Sequence, residues 1–142
     1  MDTLTKTQRS KRMALVRGKD TSPELYVGAL VRALGWRYSR HDRRLPGSPD
    51  LVFRTARKAV FVHGCFWHRH RSQRCKLARL PKTRLAFWLP KLESNARRDR
   101  RDSAALRRAG WSVLNVWECQ LGKSEFVRRR LSKFLGHARR KK

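Results

Sequence analysis

The apolar patterning of the chain predicts a small α/β domain, a mixed β-sheet flanked by helices. Three observations carry this. A helical apolar repeat begins after Thr21-Ser22-Pro23-Glu24. Two short runs rich in β-branched and aromatic residues, Asp50-Leu51-Val52-Phe53 and Ala59-Val60-Phe61-Val62, follow with a basic turn between them. Helical pattern, a third apolar run and a last amphipathic stretch then succeed one another.

Taken in order, residues 1–20 are basic with few apolar groups (Leu4, Met13, Ala14, Leu15, Val16) and read as an arm with some helical tendency. Thr21 or Ser22 can cap the first helix, Pro23 suits its first turn, and Glu24 stands at capping-box spacing from Thr21. Leu25, Ala29, Leu30, Ala33 and Leu34 give that helix an apolar face, and Gly35 stops it. Trp36 to Ser39 reads as a short strand, and Arg40 to Pro49 as a polar loop turning at Pro46-Gly47. The two central strands join through Arg54–Lys58. Gly64 to Lys82 has little periodicity and reads as an irregular, metal-held segment. Helical pattern returns at Thr83–Leu89 and again from Pro90 to Ala109, with a break expected at Pro90, and Gly110 ends it. Trp111–Trp117 is the third strand. Ser124–Leu135 is the last helix, with Phe126, Val127, Leu131, Phe134 and Leu135 apolar; residues 137–142 are a basic tail.

A chain of 142 residues has the size of one domain, and no repeat or Gly/Ser linker divides it. The expectation is a single domain over 1–142. The formal charge of +27 comes from 37 basic residues against only ten acids. A GC-rich genome explains why 26 of the basic residues are arginine, but not the scarcity of acids. A field of this sign and size points to a polyanion, most simply a nucleic acid. The amino terminus lacks the apolar segment of an export signal, and no apolar run approaches a membrane span. Three cysteines cannot all pair within one chain, so the reducing cytoplasm, where thiols can hold metal, fits best.

The stretch His63-Gly64-Cys65-Phe66-Trp67-His68-Arg69-His70, with Cys75 close behind, concentrates the chemistry. Cys65, His70, Cys75 and Cys119 make a candidate tetrahedral zinc set, C-x4-H-x4-C with the last cysteine 43 intervening residues away. Four protein ligands leave no open position, so such a zinc would be structural. The alternative makes Cys65 and Cys119 small core residues and Cys75 a surface one. Pro49-Asp50 opens one central strand and Val62-His63 closes its neighbour. This resembles the metal-dependent nuclease core of restriction enzymes, with Phe61-Val62-His63 standing where that pattern has acid-x-Lys.

More residues read together sharpen the resemblance. The ordered set is Leu45-Pro46-Gly47-Ser48-Pro49-Asp50; His63 to His68; Pro81-Lys82-Thr83 with Phe87-Trp88; Asn95 with Arg98-Asp99-Arg100-Arg101; Gly110-Trp111; and Val116-Trp117-Glu118-Cys119. Over residues from about 8 to 121 the chain resembles the very short patch repair (Vsr) DNA mismatch endonucleases. The resemblance implies a restriction-endonuclease-like core and a Mg²⁺-dependent enzyme. Such an enzyme nicks one strand of duplex DNA beside the T of a T·G mispair, countering deamination of 5-methylcytosine. It implies two Mg²⁺ held by the Asp50 carboxylate and the Val62 backbone carbonyl, an acceptable ligand for a hard cation. It assigns His63 and His68 as essential imidazoles, pairs His68 with Asp99, and gives Glu24 a supporting role toward the metal waters. His68 could instead brace the zinc loop, with Asp99 paired to Arg98 and Arg100.

The same resemblance makes Phe66, Trp67 and Trp88 intercalating aromatics, with Met13 a wedge from the minor groove. Lys91 and Asn95, on one helical stripe with Asp99, match positions that contact the mispair. Trp36, Phe61, Trp111 and Trp117 read as core. The His70–Cys75 spacing is longer than the family's, and Arg84 stands where a small polar residue is usual. The implied setting is a bacterial cytoplasm and its nucleoid. The implied partners are duplex DNA and mismatch-repair proteins, for a monomer with no membrane attachment. The competing readings are a zinc-bearing nucleic-acid-binding protein without catalysis, and a related nicking nuclease with another target.

Overall fold

The computed structural model describes residues 22–70 and 75–136. The expected N-terminal arm with Met13, and the tail 137–142, lie outside the described residues. Four strands form one sheet in the order β1 (Ser39–Arg40), β2 (Leu51–Phe53), β3 (Lys58–His63), β4 (Ser112–Trp117). The first three are antiparallel neighbours, and β4 runs parallel to β3. The helices are α1 (Ser22–Ala33), α2 (Leu85–Arg108) and α3 (Ser124–Leu135). The expected mixed α/β architecture is present.

The sheet is buried on both faces, which is why β2 and β3 read as continuous apolar runs. Alternation along β3 sorts its side chains. Val60 and Val62 pack with Leu51, Phe53 and Val116 against Val27 and Val31 of α1 and Val127, Leu131 and Leu135 of α3. Ala59 and Phe61 turn the other way and meet Leu106 of α2. The sheet is therefore a layer between α1 with α3 and α2, and the parallel β3–β4 pair is connected by the long crossover through α2. His63, next in the series after Ala59 and Phe61, points to the α2 side.

Three elements differ from expectation, each for a physical reason. The first strand is only Ser39–Arg40. Trp36 instead packs on the core edge-on to Phe53, and its indole N–H donates to the Gly136 carbonyl (3.2 Å). Helix α2 is continuous through Pro90. The proline sits near the helix start, so the missing N–H deprives only the carbonyl of Ala86, an exposed residue where water can serve. On α1 the buried residues are Val27 and Val31, with Leu30 and Leu34 partly buried, whereas Leu25 is 49% exposed and Ala29 and Ala33 are exposed. Gly28 explains the rotation, since a Cβ there would lie 2.2 Å from the Tyr38 hydroxyl. The close approach turns Glu24, one turn earlier on the same face, toward the sheet end.

Helix α3 separates core from surface clearly. Leu131 is fully buried while Phe126, on the expected apolar face, is 47% exposed. Leu131→Ala is expected to cost about 2–4 kcal/mol in urea denaturation and Phe126→Ala less than about 1 kcal/mol. Equal costs would contradict this packing.

Candidate active site and metal-binding groups

Three groups of ligand-type side chains meet at one end of the sheet. The first is acidic. Asp50 directly precedes β2, beyond the last paired residue Leu51, and its Oδ2 accepts the Val62 N–H at 2.7 Å. His41 directly follows β1, so the Arg40–Leu51 pairing places it opposite Asp50, and its N–H donates to the Asp50 carbonyl. Its ring Nε2 lies 3.2 Å from Glu24 and its Nδ1 3.8 Å from Asp50. All three side chains are largely buried. Burial pushes the Asp50 carboxyl up to about 8, against the Val62 hydrogen bond and helped by the nearby Glu24 and Asp99 charges. Two converging buried carboxylates either retain a proton or take a cation. His41 was not among the residues singled out from sequence. It sits in a polar loop, and only the β1–β2 register shows where it goes.

The second group is built on the α2 side. Residues after His63 make one helical turn closed by a Schellman motif. His68 N–H bonds to the Gly64 carbonyl, His70 N–H to Cys65 (2.9 Å), and Arg69 N–H to Phe66 (3.3 Å), with Arg69 in the left-handed region at φ 53°. This turn stacks His68 on His63, centroids 4.2 Å apart and planes within 8°. His68 Nδ1 meets Asp99 Oδ2 of α2 at 2.5 Å, the contact expected of an acid–base pair. His63 is held down near 4, first by burial and then by the neighbouring His68, so it is neutral at pH 7. Its Nδ1 is buried without a hydrogen-bond partner among the described residues.

The third group is Cys65, His70, Cys75 and Cys119, whose ligand atoms all lie within 4.8 Å of one another. The Schellman turn delivers Cys65 and His70, and the short 3-10 turn Glu118–Gln120 after β4 delivers Cys119. Cys119 Sγ is 3.5 Å from His70 Nδ1, and the Cys119 N–H points at Cys65 Sγ (3.3 Å). The longer His70–Cys75 spacing does not keep Cys75 out. Burial raises the Cys65 and Cys119 thiols, so a cation is needed to hold them as thiolates. The donor set is that of a closed zinc site. Trp117, expected in the core, instead stands between groups, stacked on His70 (4.2 Å) and edge-on to His63 (5.0 Å).

The aromatic residues form one cluster beside these groups. Phe66, Trp67 and Trp88 contact one another edge to face, centroids 5.2–5.9 Å apart, and all are half-buried. Phe87, half exposed, extends the cluster from Trp88 and carries the Arg84 guanidinium over its ring. The Lys91 ammonium lies 5.9 Å from the Trp67 and Trp88 rings. Asn95 donates to the Trp67 carbonyl (3.1 Å) and accepts from Arg98, so it fixes the loop that carries the aromatics.

Known proteins similar to this chain are DNA endonucleases. A family model described as DNA mismatch endonuclease Vsr matches residues 1–74. The chain is 44% identical over 134 residues to the type II nicking enzyme V.XorIIP of Xanthomonas oryzae pv. oryzae, covering 94% of this chain and 96% of that protein. It is 44% identical over 116 residues to the DNA mismatch endonuclease Vsr of Escherichia coli K12, covering 82% and 72%. It is 36% identical over 134 residues to the type II nicking enzyme V.NmeAIP of Neisseria meningitidis, covering 94% of each. A family model spanning more than half of the chain, and relatives aligned over most of both sequences, establish that this chain belongs to the Vsr family of DNA mismatch endonucleases.

Proposed function

We propose that this endodeoxyribonuclease nicks one strand of duplex DNA beside the T of a T·G mispair, with Mg²⁺, and so reverses the damage left by deamination of 5-methylcytosine. The observation that carries the reading is the Asp50–Val62 hydrogen bond, which seats the acid pair beside His63 and the His68–Asp99 pair at one strand end. Family membership supplies the class of reaction. The wedge of aromatics next to the imidazoles favours a target whose stacking is already weak, such as a mispair.

Asp50 and the Val62 carbonyl would hold Mg²⁺, with Glu24 supporting the metal waters. In a strand the N–H and C=O of one residue lie along the same edge, so the Val62 N–H bond to Asp50 directs its carbonyl to the acid pair as well. When bound, Mg²⁺ supplies positive charge at the phosphate undergoing attack. The residues do the rest. Neutral His63 offers a ring nitrogen without carrying charge. His68, oriented by Asp99, takes a proton from the attacking water or gives one to the leaving oxygen. Phe66, Trp67 and Trp88 enter the stack, Met13 enters from the minor groove, and Lys91 and Asn95 face the mispair. Cys65, His70, Cys75 and Cys119 would hold one structural Zn²⁺, for which the converging donor set is suited. The sheet and its catalytic end are those of a restriction-endonuclease-like core. The chain acts as one domain over 1–142, with 1–20 as a DNA-contacting arm and 137–142 as a basic tail. It works as a monomer at the bacterial nucleoid alongside mismatch-repair proteins. Among the described residues no helix is long and apolar enough to cross a membrane.

The decisive experiment is nicking of matched duplexes carrying T·G, T·A or C·G at one position, across several flanking sequences, with Mg²⁺. Cleavage confined to the T strand of T·G is expected. Equal cutting of paired duplexes would favour a nicking nuclease with another target.

Asp50→Asn and His68→Ala should each lower nicking by roughly 10²-fold or more. Asp50 also has a stability signature. Its folded value near 8 stands above the ordinary 3.8, so the metal-free protein binds the extra proton on folding between those limits. That stability is full below pH 3.8 and lost as pH rises through 8. Asp50→Asn should therefore make the metal-free protein more stable than its parent at pH 8.5, by ~1 kcal/mol or more, and indistinguishable melting there would contradict a desolvated Asp50.

Metal analysis should find about one zinc per chain. Cys119→Ser and Cys75→Ser should each lose most of it and melt at lower temperature. A folded protein purified with full nicking activity and no zinc would remove the four-ligand site.

A further inference from the structure

His41 lies between the two carboxylates of the acid group, and none of the roles above uses its ring. Its Nδ1 is 3.8 Å from Asp50 Oδ1 and its Nε2 is 3.2 Å from Glu24 Oε2. One ligand atom from each of Glu24, His41 and Asp50 lies within 4.8 Å of the other two. We propose that His41 is itself a ligand of the nuclease metal, bound through Nδ1 beside the Asp50 carboxylate, and that this nitrogen biases the site toward Mn²⁺ over Mg²⁺; the inference rests on the acid pair being the metal site of the nicking reaction proposed above.

The two ring nitrogens have different neighbours at distances that differ in kind. At 3.8 Å, Nδ1 and the Asp50 oxygen are too far apart to share a hydrogen bond. They are spaced as two donors on one ion are, about 3–4 Å apart when each bond is about 2.0–2.2 Å long. At 3.2 Å, Nε2 stands where its N–H would reach Glu24. A ring that ligates through one nitrogen carries its proton on the other, and a carboxylate at that proton fixes tautomer and orientation. Glu24 occupies that place. The backbone supports the same placement, because the His41 N–H donates to the Asp50 carbonyl (3.4 Å) and so fixes main chain and ring against one residue. The adjacent acid, Asp42, is engaged by Arg44 and Arg54 and does not compete for the ring. Asp50 and the Val62 carbonyl alone offer oxygen, which suits Mg²⁺. Of the ions suited to carboxylate, carbonyl and water, Mn²⁺ takes an added imidazole most readily. A counter-ion role predicts the opposite behaviour: a protonated His41 balancing the two acids would repel an entering cation, and its removal would strengthen metal binding.

The test uses the full-length protein with zinc supplied to its cysteine cluster. Mn²⁺ binding is followed by electron paramagnetic resonance, and Mg²⁺ binding by its displacement of Mn²⁺. Pulsed measurements on the parent protein should show a nitrogen hyperfine coupling to bound Mn²⁺. His41→Gln and His41→Ala, with the fold checked by circular dichroism, should both abolish that coupling. Both should weaken Mn²⁺ binding by about tenfold or more, and Mg²⁺ binding by less than about threefold. A parent protein without the coupling, or a coupling that persists in the variants, overturns the ligand role. Equal weakening of both ions also overturns it, leaving His41 a brace for the acids. Tighter binding of both ions overturns it in favour of a counter-ion. Nicking of T·G in each metal is measured in parallel, with Asp50→Asn as a control. Mn²⁺ binding that survives Asp50→Asn would sink the acid pair as the metal site, whereas Asp50-dependent binding and nicking without nitrogen coupling sinks only the role of His41.

Discussion

The hydrogen bond from the Val62 N–H to the Asp50 carboxylate is the junction on which the rest of the site depends. Strand β2 is short and begins only at Leu51, so the backbone of β3 beyond Val60 has no ladder partner on that side. Asp50 supplies one from its side chain. This settles two matters together. A buried N–H is satisfied, and a carboxylate is held in a place where it does not readily ionise. The same strand edge then carries the Val62 carbonyl toward the acids, while alternation sends His63 to the opposite face. The acid pair and the imidazole pair are thus set a fixed distance apart by one residue of strand, without any flexible segment between them.

The loop after β3 transmits that precision. It is a single helical turn stopped by a non-glycine residue in left-handed conformation, Arg69, which costs of the order of 1 kcal/mol. The Arg69–Glu93 pair and the bond from Asn95 to the Trp67 carbonyl tie the turn to α2. Cys65 and His70, at its two ends, face Cys119 at the end of β4. Because β3 and β4 are parallel and in register through His63 and Trp117, both chain ends that feed this cluster leave the sheet at the same level. A metal held there would lock the aromatic wedge and His68 to the sheet end at once. Trp117 fills the space between His63 and His70, so the imidazole pair and the cysteine cluster share a wall.

Much of this was legible in the residues, and the remainder was hidden for identifiable reasons. Helix α3 has the bounds that its amphipathic repeat indicated, Ser124–Leu135, although Phe126 of that repeat lies exposed. The hairpin was readable from β-branched runs around a basic turn. The four zinc-type ligands were readable because the chain contains only three cysteines, all placed near structural breaks. What the residues concealed were effects of tertiary packing. The buried stripe of α1 is set by the Gly28–Tyr38 contact, not by the largest apolar side chains. Pro90 looked like a break because local rules apply mid-helix, whereas the bond it removes lies near an exposed end. His41 has no motif of its own, and becomes visible only once Arg40 is paired with Leu51.

The pairing of the acids has a logic that follows from the charge of the chain. Against 37 basic residues the ten acids are scarce. Asp42 pairs with Arg44 and Arg54, Glu93 with Arg69, and Glu125 with Arg128 and Arg129. Asp50 and Asp99 instead face imidazoles, His41 and His68, and make no ion pair with arginine among the described residues. The difference matters chemically. A guanidinium is a permanent cation and would occupy a carboxylate that must meet a metal or move a proton. An imidazole can be neutral, can give up its proton, and can leave the carboxylate available. With 26 arginines in the chain an acid readily comes within reach of one, as Asp42, Glu93 and Glu125 do, although Asp102 and Glu118 make no such pair among the described residues. Burying Asp50 behind β2, and giving Asp99 a histidine on a rigid turn, keeps these two carboxylates out of that reach, so the same positive field that attracts DNA does not silence the groups that act on it.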